Sequence, residues 1–333
     1  MNSNRVGGTP GGAAALDGTA PARSFYCIAD RSFYLGAVAL INSLRLVGHS
    51  ERIVVLDCGL ADSQRALLSR EATIVDPESR GPLEPEILPI LLRARAPLAL
   101  PAKAMILLDA DIIVVRELEP LFQEAESGKI VAFTDALDRR FSDRWQAELG
   151  TESMRQQSYV NTGLLGLPFQ LGTRLLRRLE EVVPTVDLTR SFWTDGIPED
   201  PFFFLDQDIF NGLLASEFRQ DQLTVLSHRL APHPPFPGLS FDEISLRCHY
   251  PDRTEAFLLH HVMRKPWLDP LPANVYSLLL TRLLVSDDLP LRPSLDEVPY
   301  RLRPSLVGSL SRRAIAMRSS LASNRRTLTS RIR

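Results

Sequence analysis

Cysteine is scarce in this sequence. Cys27, Cys58 and Cys248 are odd in number and far apart, and they fit neither a disulfide framework nor a zinc pattern, so buried free thiols are expected. Long apolar runs are missing too: no stretch reaches the roughly eighteen residues of a membrane-spanning helix. Residues 1–23 are rich in Gly, Ala, Thr and Pro and have no apolar run of secretion-signal length. They are read as a disordered lead, and the protein as cytoplasmic. No Gly-x-Gly-x-x-Gly follows the first predicted strand, and no Gly-x-x-x-x-Gly-Lys-Ser/Thr occurs anywhere. A nucleotide, if one binds, must therefore be held through a metal rather than a glycine loop. Acidic residues are absent from 301–333, which carries nine arginines; with 38 basic and 40 acidic residues in all, the remainder has 29 against 40, or −11. An acidic body of that size argues against a nucleic-acid partner.

What is present is a chain of 333 residues, 44% hydrophobic and 23% charged, long enough for one large core or two small ones. Ser24–Asp30 reads as a strand ending in an acid. Phe33–Val47 has apolar residues at helical spacing, closed by Gly48. A strand over Arg52–Leu56, a helix over Ala61–Arg70 and a strand over Ala72–Val75 complete a β-α-β-α-β succession. That succession predicts an α/β fold with a mostly parallel sheet flanked by helices and ligands at the carboxyl ends of its strands. Further along, helices are expected over Pro85–Leu100, Leu118–Ala125 and Leu171–Val183. Strands are expected over Lys129–Phe133, Tyr159–Leu167 and Phe257–His261, and a helix opens at Phe204–Asn211 with Asp206 placed to cap it.

The costliest stretch is Met105–Val115. Four apolar residues, Asp109-Ala110-Asp111 and four more apolar residues read as a buried strand interrupted by two carboxylates. Carboxylates there must be paired or bind a cation. In an extended segment residues i and i+2 share a face, so the two can converge on one hard divalent ion. Two solvated aspartates in a turn are the other reading of the same residues.

Five motifs in order, Ile28-Ala29-Asp30, Leu107-Leu108-Asp109-Ala110-Asp111, Val160-Asn161-Thr162-Gly163, Leu205-Asp206-Gln207-Asp208 and His260-His261 with Lys265-Pro266-Trp267, resemble glycosyltransferase family 8 over about residues 24–285. That family comprises retaining enzymes of the GT-A nucleotide-diphospho-sugar transferase fold, among them glycogenin and bacterial lipopolysaccharide galactosyltransferases. The resemblance implies that Asp30 contacts the nucleotide and that Asp109, Asp111 and a histidine hold Mn2+ or another divalent cation. Lys265 would sit on the phosphates, Arg93 would reach the donor, and Asp135 and Asn161 would line the sugar pocket. Asp206 and Gln207 would lie beside the anomeric carbon as the catalytic pair. It implies a hexose moved from a nucleotide sugar, UDP-linked, to a glycan or lipid-linked acceptor in polysaccharide biosynthesis. An inactive sugar-binding relative, or a phosphotransferase or hydrolase built on Asp109, would share part of the pattern. One departure is visible. The family's His, two residues, Gly, two residues, Lys-Pro-Trp is a residue shorter from His260 to Lys265 and lacks the glycine. Counting from His261 would shorten it by two, so His260 is the expected ligand.

Other residues have plain readings beside these. Asp30 can cap the following helix, and Asp208 suits a helix N-terminus. His228, His233 and His249 show no partner spacing, and Trp145 and Trp193 can cover a sugar or pack. The GT-A domain is expected over 24–300. In 301–333, Leu310, Ala314, Met317, Leu321, Leu328 and Ile332 form a stripe edged by arginines: a basic amphipathic helix fit for peripheral contact with the inner face of a membrane, or for docking on the acidic body.

Overall fold

The computed structural model describes residues 19–77 and 92–303. The lead over 1–18, the start of the helix expected from Pro85 and the tail beyond 303 lie outside the described residues. In order, the elements are β1 (Arg23–Ala29), α1 (Tyr34–Leu46), β2 (Arg52–Asp57), α2 (Asp62–Leu68), β3 (Thr73–Val75), α3 (Arg95–Ala99), β4 (Ala104–Leu108), β5 (Ile112–Val114) and α4 (Glu119–Glu126). They continue as β6 (Ile130–Thr134), α5 (Arg144–Glu148), β7 (Val160–Pro168), α6 (Phe169–Val182), α7 (Asp206–Glu217), β8 (Leu223–Leu226), β9 (Ser240–Phe241), β10 (Cys248–His249), β11 (Leu258–His260) and α8 (Val275–Val285).

Seven strands form one sheet in the order β3-β2-β1-β4-β7-β6-β8. All neighbours run parallel except at β7, which is antiparallel to both β4 and β6. That reversal brings the start of β7 to the edge where β1, β4 and β6 end. Apolar cores fill both faces: α1, α4 and α8 supply Val38, Phe122 and Leu280 on one, and α6 and α7 supply Leu175 and Phe210 on the other. Helix α1 is buried along most of its length because α8 covers it. Its one buried amide, Asn42, donates to Leu283 O and Leu291 O at 2.8 and 2.7 Å.

Several expectations need correcting. Asp-x-Asp does not interrupt one strand: β4 belongs to the large sheet, whereas β5 leaves it and pairs with β11. Asp206 is the first residue of α7, not its cap; Leu205 stands at the cap with φ 51, and no side chain caps the helix. Arg93 lies in a turn ahead of the short α3 rather than inside a helix. Strand β8 and helix α8 were not anticipated. Cys27 and Cys248 are buried and Cys58 half-buried, and no disulfide joins them. No helix among the described residues is long and apolar enough to cross a membrane.

Candidate active site

Two ladders bring the acids to the histidine. Asp109 N donates to Gly163 O at 2.8 Å, joining the end of β4 to β7, and His261 N donates to Asp111 O at 3.0 Å, extending the β5–β11 pairing. His260 Nε2 then stands 3.2 Å from Asp111 Oδ1 and 3.7 Å from Asp109 Oδ2. One ligand atom from each of Asp109, Asp111 and His260 lies within 4.8 Å of the others.

The remaining carboxylate oxygens are held by cations. Arg93 donates to Asp109 Oδ1 and, at 2.6 Å, to Thr162 O. Lys265 donates to Asp111 Oδ2 and, at 2.8 Å, to His261 O. The far side of His260 is fixed by Asn161, whose orientation follows from its neighbours. Its Oδ1 accepts from Gly163 N at 2.9 Å, and its Nδ2 donates to Asp135 Oδ2 at 2.9 Å. Asn161 Oδ1 also faces His260 Nδ1 at 3.1 Å, so Nδ1 is the donor to that oxygen and Nε2 is the nitrogen turned towards the two carboxylates.

Two anions facing that nitrogen call for a positive charge among them, either a proton on Nε2 or a metal ion. The donor set fits a metal ion: two carboxylates and an imidazole suit a borderline ion such as Mn2+, and the amide holding the other ring nitrogen is the usual support of a ligating histidine. Asp111 Oδ1, buried and without a hydrogen-bond partner, is the orphan such an ion would satisfy. Burial raises the Asp111 carboxyl, but Lys265 and His260 outweigh it and hold it well below its ordinary value. At Asp109, enclosure raises the carboxyl, Arg93 opposes and the Asp111 charge adds to the rise. Asp109 is also the open side of the cluster, 34% exposed against 7% for Asp111.

The head of α7 forms the adjoining wall. Gln207 Oε1 accepts from Asn161 Nδ2 at 3.1 Å and from Thr162 N at 3.2 Å, while its Nε2 reaches Asp135 Oδ2 at 3.4 Å. Asp135, Asn161 and Gln207 thus form one network backing His260. Asp206 is buried beside Arg93 Nη1 at 3.5 Å, and its Oδ2 makes no hydrogen bond. Burial foremost, against Arg93 but reinforced by Asp109, pushes its carboxyl up to about 7. Asp208 points the other way, fully buried between Arg140 (2.6 Å), the Tyr159 hydroxyl (2.7 Å) and Phe204 N (2.7 Å). It anchors the helix and is not merely a dipole charge.

The rest of the expected set is more dispersed. Asp30 follows β1 at the same edge and accepts from Phe33 N at 2.9 Å, shaping the turn into α1. His261 turns away and packs on Tyr276, ring centroids 4.9 Å apart. Arg95 pairs with Glu180 at 2.7 Å, leaving Arg93 as the arginine of the site. Trp145 is core and Trp193 is exposed. Trp267 donates to Ser32 O at 2.6 Å and crowds Gly36, pinning the Lys-Pro-Trp segment to the loop that carries Asp30. Met263 fills the turn of the shortened loop at φ 65, a conformation that favours glycine. Sequence reading gave His233 no partner, whereas it stands edge-on to His260 with centroids 5.1 Å apart, and it missed Arg140; neither carries a local signal.

No family model matches the chain, and no curated protein matches it in sequence. Solved structures do match. An active-site Gln-to-Glu variant of LgtC superposes with a TM-score of 0.53 at 17% identity, covering 81% of this chain and 98% of that one. The bifunctional glycosyltransferase WbbM, in its apo form, gives a TM-score of 0.55 at 15% identity over 83% of this chain and 52% of its own. GlyE of Streptococcus pneumoniae TIGR4, also a glycosyltransferase, gives 0.50 at 14% over 80% and 61%. The fold is therefore that of GT-A glycosyltransferases, as the motif order implied.

Proposed function

We propose that the protein is a metal-dependent glycosyltransferase that moves a hexose from a UDP-linked sugar, with retention, to a glycan or lipid-linked acceptor in polysaccharide biosynthesis. The observation that carries this is the meeting of Asp109, Asp111 and His260 at one point, with Arg93 and Lys265 on the outer carboxylate oxygens. The fold adds support, since the matched structures are glycosyltransferases. Asp109, Asp111 and His260 would hold Mn2+ or another divalent cation, which supplies electrostatic stabilisation of the departing diphosphate.

The side chains divide the remaining work. Lys265 contributes a buried ammonium beside the leaving phosphates, where a low local dielectric strengthens it. Asp30 has one oxygen on the α1 turn and offers the other to the nucleotide. Asp135 and Asn161 line the hexose pocket and fix His260 through their mutual hydrogen bond. Gln207 is braced by Asn161 and Thr162, so its position beside the anomeric carbon is set before substrate arrives. Of the three polar side chains opening α7, Asp206 alone keeps a buried oxygen without a hydrogen bond, so a double displacement would fall to it. Otherwise the departing phosphate takes the acceptor's proton on the same face.

A screen of nucleotide sugars for hydrolysis with and without Mn2+ tests the proposal. Turnover should require the metal and fall by at least about a hundredfold in Asp109→Asn and Asp111→Asn. Tight binding of UDP-sugar without turnover would identify a sugar-binding relative instead, and no binding at all would sink the proposal. The basic tail 301–333 is assigned to peripheral membrane contact on its composition. Full-length protein should float with anionic liposomes and a chain ending at Tyr300 should not; equal flotation removes that role.

A further inference from the structure

Among the described tryptophans, Trp145 and Trp267 are 1% and 4% exposed, whereas Trp193 is 57% exposed. Its loop is not loosely tethered. Phe192 N donates to Phe203 O at 3.0 Å, and Ser191 N donates to Thr194 Oγ1 at 2.9 Å. A Cβ on Gly196 would stand 2.6 Å from Arg190 C, so only glycine lets the loop close on itself there. Phe192 props the indole at 4.4 Å between centroids and leans on Phe204 at 6.1 Å.

Arg140 fastens this loop to the reaction side of the site. It donates to Pro198 O and Asp200 O, and through the same guanidinium to both oxygens of Asp208; its plane also lies over the Phe204 ring. One residue beyond Phe204, Leu205 leads into Asp206 and Gln207. On the other flank, Leu137 is 47% exposed and donates its N–H to Asp135 Oδ1. Arg140, whose N–H donates to Leu137 O at 2.8 Å, thus ties the loop after Asp135 to the loop before Asp206.

We propose that Trp193, propped by Phe192 and Phe204, is an acceptor platform on which a pyranose ring of the acceptor glycan stacks. The inference rests on the transferase reading above and names the acceptor side of that site. A pyranose offers one face of C–H groups, which suits an indole face, and a rim of hydroxyls, which needs acceptors. The exposed carboxylates on these two loops, Asp138, Asp195 and Glu199, are the acceptors available to it.

The test uses full-length protein with Mn2+, with UDP for binding and a UDP-sugar as donor for transfer, and lactose and maltotriose as probes. The probes should shield Trp193 emission from acrylamide. Trp193→Ala should raise KM for transfer to the probe by about tenfold, the scale of a lost aromatic anchor. Donor hydrolysis by water should change far less, and Trp193→Phe should recover part of the loss. Shielding by anionic vesicles but not by the sugars would overturn the platform. So would equal losses of transfer and hydrolysis, transfer unchanged in Trp193→Ala, or a change in oligomeric state in that variant. If wild type hydrolyses no nucleotide sugar, the transferase reading fails. Sugar shielding of Trp193 then still reports on the platform as a glycan site.

Discussion

At the level of single residues, the site depends on where one glycine and one amide stand. A Cβ on Gly163 would lie 2.2 Å from His260 Cε1 and 2.5 Å from its Nδ1, so Gly163→Ala must displace the ring from the carboxylates. Mn2+-dependent turnover should fall by about ten- to a hundredfold, the range for a disturbed ligand support, with the far-ultraviolet spectrum unchanged. Asp206→Asn separates the two displacement routes: turnover within roughly tenfold of wild type leaves same-face attack, while its abolition, with trapped glycosyl-enzyme in the wild type, assigns the nucleophile. The Asp109–Asp111 pair was legible in the sequence because carboxylates in an apolar run must be explained, and His260 came from the motif resemblance. His233 and Arg140 were not, because their partners lie far along the chain and no spacing announces them.

Among the elements, α7 illustrates a buried charge used as an anchor. Asp208 is held by Arg140 and Tyr159 with no exposure, so removing one partner strands the other. Arg140→Ala should cost roughly 3–5 kcal/mol and Tyr159→Phe about 1 kcal/mol, read from urea midpoints; comparable values for the two would refute the anchoring role. Strand β1 and helix α4 are joined by Arg23, which pairs with Glu119 and Glu126. Its hydrogen bonds hold both carboxyls below their ordinary value. Folded values below the unfolded ones mean stability present above pH about 4.5 and lost as pH falls through the folded values. Arg23→Gln should therefore flatten the acid limb of a Tm against pH curve. The early β-α-β-α-β succession was readable because its periodicities are clean. The strand expected through Asp-x-Asp split in two because β5 pairs across the molecule with β11, a choice made by tertiary contacts rather than by local pattern. Helix α8, with leucines on most faces, gave no amphipathic stripe because it is packed between α1 and the C-terminal segment.

For the whole molecule, an ion held by the proposed cluster would couple binding to stability. An ion that binds the folded chain alone adds roughly 2.7 kcal/mol at a hundred times its Kd. Mn2+ should raise Tm, chelation should reverse the rise, and Asp111→Asn should abolish it; an unchanged Tm in wild type would show that no ion is held. The pairing of β11 with β5 also sets an order of assembly. Lys265 and Asp111, which the pairing brings together, are 154 residues apart in sequence. On the ribosome, the segments bearing Asp109 and Asp111 emerge long before the segment that covers β5 and supplies His260. A nascent chain halted before Leu258 would hold its two acids without the third ligand. The long-range closure that completes the cluster is thus also the step after which the proposed ion could first be held.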